Sequence, residues 1–112
     1  MAQVLRWMEA TWPCGRPVRI RWTPTLGPKG KYSAQTQRSG TGMLITMSRR
    51  RNRLYEIAID TIIHEYVHCH QWGPARAELL QPDDHPPAFG ALYWEILDRF
   101  HHQGGDEEAS EY

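Results

Sequence analysis

Residues 54–68 read LYEIAIDTIIHEYVH, and this stretch decides most of what the chain can be. It contains neither glycine nor proline, and apolar residues occupy most sides of it, as in a helix packed inside a small domain. Asn52 is of the residue type that caps helices, and Gly73 followed by Pro74 supplies the end. The sequence therefore predicts a long, largely buried helix here.

The end of that stretch carries His64 and His68, four residues apart, with Glu65 between them. Four residues is about one helical turn, so both imidazoles leave the same face and can bind one metal ion. This is the HExxH arrangement of zinc hydrolases, in which the metal activates a water and the glutamate accepts its proton. The motif predicts a zinc (Zn²⁺) site with His64 and His68 as ligands and Glu65 as the catalytic base.

A catalytic zinc takes three protein ligands and a water, so the motif requires a third ligand. The longer pattern HExxHxxGxxH is absent, since Gln71 and Pro74 stand at its glycine and final histidine positions. His85 is the best candidate, because Pro86 and Pro87 followed by an apolar run place it at the start of a helix. The sequence predicts His85 as the third ligand.

Other assignments for the third ligand stay open. Asp84, Glu78 and His70 compete with His85 by residue type, although His70, two residues after His68, points to another face of the helix. The alternative for His85 itself is an exposed loop histidine beside two aspartates.

The spacing of these features resembles the SprT-like zinc metallopeptidases and the related minimal zincins. The resemblance rests on HEYVH at residues 64–68, a turn-rich connector, and an Asp-His pair followed by PPAFGALYW at residues 86–94. In those families a histidine followed four residues later by a phenylalanine opens the helix after the HExxH helix, which matches His85 and Phe89 here. The resemblance covers roughly residues 15–100.

By this resemblance, His64, His68 and His85 bind zinc, and Glu65 is the general base of a peptidase. The implied substrates are polypeptides, including proteins bound to DNA. Two departures accompany it: no four-cysteine zinc ribbon follows the helices, and Pro86 stands where the family often has glycine. The first departure removes a module that handles substrate or DNA.

The implied fold is α+β, a minimal zincin-like domain over residues 1–104. It has a small, mostly antiparallel sheet of about three strands packed on two or three helices, including the HExxH helix. The acidic residues 105–112 predict a disordered tail. Residues 1–9 predict a short amphipathic helix, and the run after His85 predicts another, with a buried stripe. The stripe residues are Phe89, Leu92, Tyr93, Ile96 and Leu97.

The strands are predicted at residues 18–22, 32–37 and 43–47, with turns at 27–30 and 39–42. The strand at 43–47 is the last one before the predicted helix that carries the HExxH motif. We expect it to be an edge strand that receives a substrate backbone by strand addition, which would satisfy main-chain groups on both partners.

The formal net charge is zero, yet the charges are segregated along the chain. Residues 1–53 hold eleven Lys or Arg against the single acid Glu9, and residues 54–112 hold two Arg against twelve acids. The basic half predicts either a face that contacts nucleic acid phosphates or a surface neutralised by the acidic half. The sparse aromatic residues and the neutral balance favour neutralisation.

Cys14 and Cys69 form no CxxC pair, so no disulfide framework is expected, which favours a cytoplasmic setting. Cys69, beside His68, should be a small buried residue that faces away from the metal. No run of 18 apolar residues occurs, so no membrane partner is expected.

Two rival functions follow from the same residues. One is a zinc-binding module without peptidase activity that holds nucleic acid or a protein partner through its basic half. The other is a non-peptide hydrolase, since HExxH defines how water is activated but not which bond is cleaved.

Overall fold

The structure is a computed structural model that describes residues 1–71 and 87–103. The described elements are three helices, α1 (Ala2–Thr11), α2 (Tyr55–Gln71) and α3 (Pro87–Gln103), and three strands, β1 (Val18–Thr23), β2 (Ala34–Ser39) and β3 (Gly42–Ser48). The chain divides into two compact units, Met1–His70 and Gln71–Tyr112. The predicted α+β class is confirmed, and the predicted tail at 105–112 lies outside the described residues.

The sheet has the strand order β1-β3-β2, with β1 parallel and β2 antiparallel to β3. The predicted mostly antiparallel sheet is therefore wrong, because the sheet is mixed. The chain reverses direction between β1 and β2 and again between β2 and β3. Since β1 then pairs with β3 instead of with its sequence neighbour, that pair runs parallel.

The strand β3 is central and pairs along its length with both neighbours. The expectation that residues 43–47 form an edge strand is wrong. The tight turn at Gly40, which has φ +62°, closes the β2–β3 hairpin. At the start of β3, a Cβ on Gly42 would overlap the carbonyl oxygen of Pro17. Only glycine therefore lets the chain before β1 lie this close to β3.

The first unit has its core between one face of the sheet and α2, with α1 contributing its apolar side. Side chains alternate across a strand, so Ile45 and its pairing partner Thr36 face the same way. The side chain of Thr36 contacts Glu65, which shows that this face is the one towards α2. The main buried side chains are Val4, Leu5, Met8, Met43, Ile45, Met47, Ile59, Ile62, Ile63 and Tyr66.

The loop before α2 is tied down by Asn52, which does not cap the helix as predicted. Its side-chain amide donates to the carbonyl oxygens of Ser33 (2.8 Å) and Ser48 (2.7 Å), and α2 begins later, at Tyr55. Asn52 thus joins the start of β2 to the end of β3. Buried polar groups in proteins are almost always hydrogen-bonded, and these two bonds supply partners for both carbonyl oxygens. This tie sets the point from which α2 leaves the sheet.

The second unit contains α3, whose first residue Pro87 suits the first turn of a helix. Phe89, Ile96 and Phe100 are buried, and Trp94 is 66% exposed. Phe89, Ile96 and Phe100 are seven and four residues apart, so they share one face of α3, as the predicted apolar stripe requires. No described helix is both long enough and apolar enough to cross a bilayer.

Candidate metal centre

Three side chains of α2 converge as the sequence predicts. One potential ligand atom from each of His64, Glu65 and His68 lies within 4.8 Å of the others, the only such group among the residues described. The imidazole centroids are 4.9 Å apart, with the rings at 76° to each other. The convergence is local: an uninterrupted helix places residues i and i+4 on one face.

The group lies at the border between the core and solvent. Glu65 and His68 are 8% exposed, whereas the side chain of His64 is 36% exposed. A small ligand or water can therefore reach the group from the side of His64. Burial on the other side lowers the local dielectric, which strengthens any electrostatic interaction made there.

The two carboxylate oxygens of Glu65 have different neighbours. The hydroxyl of Thr36 donates to Oε1 at 2.7 Å, and Oε2 lies 3.9 Å from Nε2 of His64. Burial raises the pKa of the Glu65 carboxyl above its ordinary value, and the hydrogen bond from Thr36 partly opposes that rise. A carboxyl with a raised pKa holds a proton more readily than an exposed one, as a general base must.

Sequence reasoning missed Thr36. The sequence signal was the alternation of the smaller Ala34 and Thr36 with the polar Gln35 and Gln37, and the structure shows the first two half-buried and the glutamines exposed. That pattern marks Thr36 as inward-facing. It could not name Glu65 as the partner, because the two residues are 29 positions apart.

The opposite side of α2 is anchored to the end of α1. The hydroxyl of Tyr66 donates to the carbonyl oxygen of Trp12 at 2.6 Å, and the ring of His70 contacts the same oxygen. His70 is therefore directed away from His64 and His68 and is not part of their group. These contacts fix the orientation of α2 about its own axis, and hence the direction in which His64, Glu65 and His68 point.

Cys69 is 1% exposed, and burial raises the pKa of its thiol. The prediction that it is a small buried residue is confirmed. A thiol that stays protonated is a poor nucleophile and a poor metal ligand.

The predicted third ligand, His85, lies outside the described residues, as do its competitors Glu78 and Asp84. Its assignment stays a prediction. The helix predicted to follow it is present, since α3 begins at Pro87, two residues later. Glu95, another glutamate downstream of the motif, is exposed on α3.

The donor set fits a zinc ion. Two imidazoles one turn apart supply the nitrogen ligands that zinc favours, and the adjacent carboxylate can act on a bound water. A catalytic site also needs an approach from solvent, which the exposed edge of His64 provides. No protein-family model matches this chain, and no curated protein or solved structure matches it either.

Proposed function

We propose that the chain is a zinc-dependent metallopeptidase of the SprT-like kind that hydrolyses peptide bonds with Glu65 as general base. The observation that carries this is the convergence of His64, Glu65 and His68 on one face of α2. The geometry supports a hydrolase because it combines two nitrogen ligands, a buried carboxylate and a path to solvent.

His64 and His68 would hold the zinc, with His85 as the third ligand by sequence. When bound, zinc lowers the pKa of its water and polarises the scissile carbonyl. Glu65 accepts the proton of the attacking water through Oε2, the oxygen on the side of His64. Glu65 then returns this proton to the leaving amine, which departs as a neutral group.

A polypeptide substrate is supported by the outer edge of β2, which pairs with no further strand among the residues that the structure describes. The main-chain N–H of Ser48 donates to the oxygen of Ser33, so these two residues form a hydrogen-bonded antiparallel pair. Such pairs alternate with non-bonded ones, and Thr36 falls on a non-bonded position opposite Ile45. The main-chain groups of Thr36 therefore point away from β3, where an extended peptide can pair with them.

Removal of the metal tests the proposal. We expect the purified protein to contain about one zinc per chain. We also expect it to cleave an unfolded protein such as casein, with cleavage lost on incubation with a chelator and restored by added zinc. Metal analysis of the protein and gel-based cleavage assays measure both quantities.

A chelator that removes zinc without affecting cleavage would contradict the proposal. So would a zinc-loaded protein that leaves casein intact but hydrolyses a simple ester. That result would favour a non-peptide hydrolase.

A second candidate function is a zinc-binding module that holds nucleic acid. It is favoured by Arg19 and Arg21, which are exposed on the sheet face opposite α2. They donate to neutral oxygens, those of Ser39 and Thr46, respectively. Within the described part of the chain, neither of these two arginines forms an ion pair with a carboxylate.

Replacement of Arg19 and Arg21 by alanine tests that candidate. If both contact phosphates, affinity for a labelled single-stranded oligonucleotide should fall, and the slope of log K against log salt should decrease in magnitude by about 1.4. Fluorescence anisotropy over a salt series measures this. Arg6→Ala, an exposed arginine on α1, is the control and should leave the slope unchanged. An unchanged slope in the double variant would exclude this face as the binding surface.

A further inference from the structure

The carboxylate of Glu65 accepts a hydrogen bond from a side chain of the sheet. The hydroxyl of Thr36 lies 2.7 Å from Oε1 of Glu65 and 3.4 Å from the main-chain oxygen of the same residue. A threonine hydroxyl has a single proton to donate. The shorter distance and the charge of the acceptor both favour the carboxylate as its partner.

This contact constrains the orientation of the carboxylate. With Oε1 bound to Thr36, Oε2 is the oxygen left towards His64 and the metal-binding face. Thr36 is itself stiff, because its β-branched side chain has few rotamers and its strand is paired to β3. The position of the Glu65 carboxylate is thus fixed by the sheet as well as by its own helix.

We propose that Thr36 is the positioning residue of the general base, holding Glu65 so that one carboxylate oxygen faces the attacking water. The inference rests on the proposed peptidase function. It also joins the base to the strand edge at which a peptide would pair, since both involve Thr36. A base displaced by as little as about 1 Å can lose about a hundredfold in rate.

Three substitutions test the positioning role. Thr36→Val keeps the side-chain shape and removes the donor, so kcat should fall about tenfold to a hundredfold while KM and zinc content stay at parental values. Thr36→Ser keeps the hydroxyl and should restore most of kcat. Thr46→Val is the matched control, because Thr46 lies on the opposite face of the sheet. Equal kcat values for Thr36→Val and the parent would overturn the proposal.

A second measurement does not depend on catalysis. Thr36→Val, Glu65→Met and the double variant are compared with the parent by urea unfolding without substrate, at equal metal content. If Thr36 holds Glu65, the shift of the double variant should be smaller than the two single shifts combined. Additive shifts would overturn the positioning role. A parent that cleaves no peptide but shows this coupling would instead refute only the peptidase function.

Discussion

Glu65→Gln is expected to lower kcat by about 10²- to 10⁴-fold while the protein keeps its full complement of zinc. Glutamine has nearly the same shape as glutamate, and its amide oxygen can still accept the hydrogen bond from Thr36. It cannot take up the proton of the attacking water, so the chemical step is lost while the metal-binding histidines remain. Cleavage of unfolded casein and metal analysis of the same sample measure the two effects.

The control for this substitution is Glu56→Gln, an exposed glutamate in the first turn of α2. It removes the same charge from the same helix and should leave both cleavage and zinc content unchanged. If the Glu65→Gln protein cleaves casein at the parental rate, Glu65 is not the base and the proposed mechanism is wrong. If it loses its zinc instead, Glu65 is a ligand.

His68→Ala is expected to weaken zinc binding more than about 100-fold, because loss of a ligand exceeds the 10- to 100-fold cost of losing an outer-shell partner. His68 is buried within the group, so water cannot replace its imidazole without bringing a polar molecule into the core. Competition with a chromogenic chelator measures the affinity. Activity should disappear in parallel with the metal.

His70→Ala is the matched control, since His70 lies on the same helix but contacts the carbonyl of Trp12. It should retain zinc at parental affinity. Zinc binding that survives His68→Ala and fails in His70→Ala would relocate the metal to the other side of α2. The same competition assay applied to His85→Ala, with Asp84→Asn beside it, identifies the third ligand that the sequence predicts.

The convergence of His64 and His68 was predictable because its geometry is local. An uninterrupted helix over residues 55–71 places His64, Glu65 and His68 together whatever the rest of the chain does. The same holds for the apolar side of α1 and for the β2–β3 hairpin, since each depends on residues a few positions apart. Periodicity and turn chemistry therefore suffice for these elements.

Strand order was not predictable in the same way. Both a parallel and an antiparallel neighbour can form hydrogen bonds with the main chain of β3. The residues at 18–23 contain no local signal that indicates with which strand they pair. The observed order β1-β3-β2 places β3 in the centre and makes β1 and β2 the outer strands of the described sheet. The edge proposed to receive a substrate is therefore that of β2, the outer strand whose Thr36 contacts Glu65.

By itself, the amino-acid sequence determined the helix that carries HEYVH and the convergence of His64, Glu65 and His68 on one face of it. The tertiary structure alone decided that β2 is an outer strand of the described sheet and that Thr36, 29 residues from Glu65, donates a hydrogen bond to its carboxylate. The physical reason is range. Helical periodicity acts over one turn, whereas a contact between a strand and a helix depends on how the whole core packs.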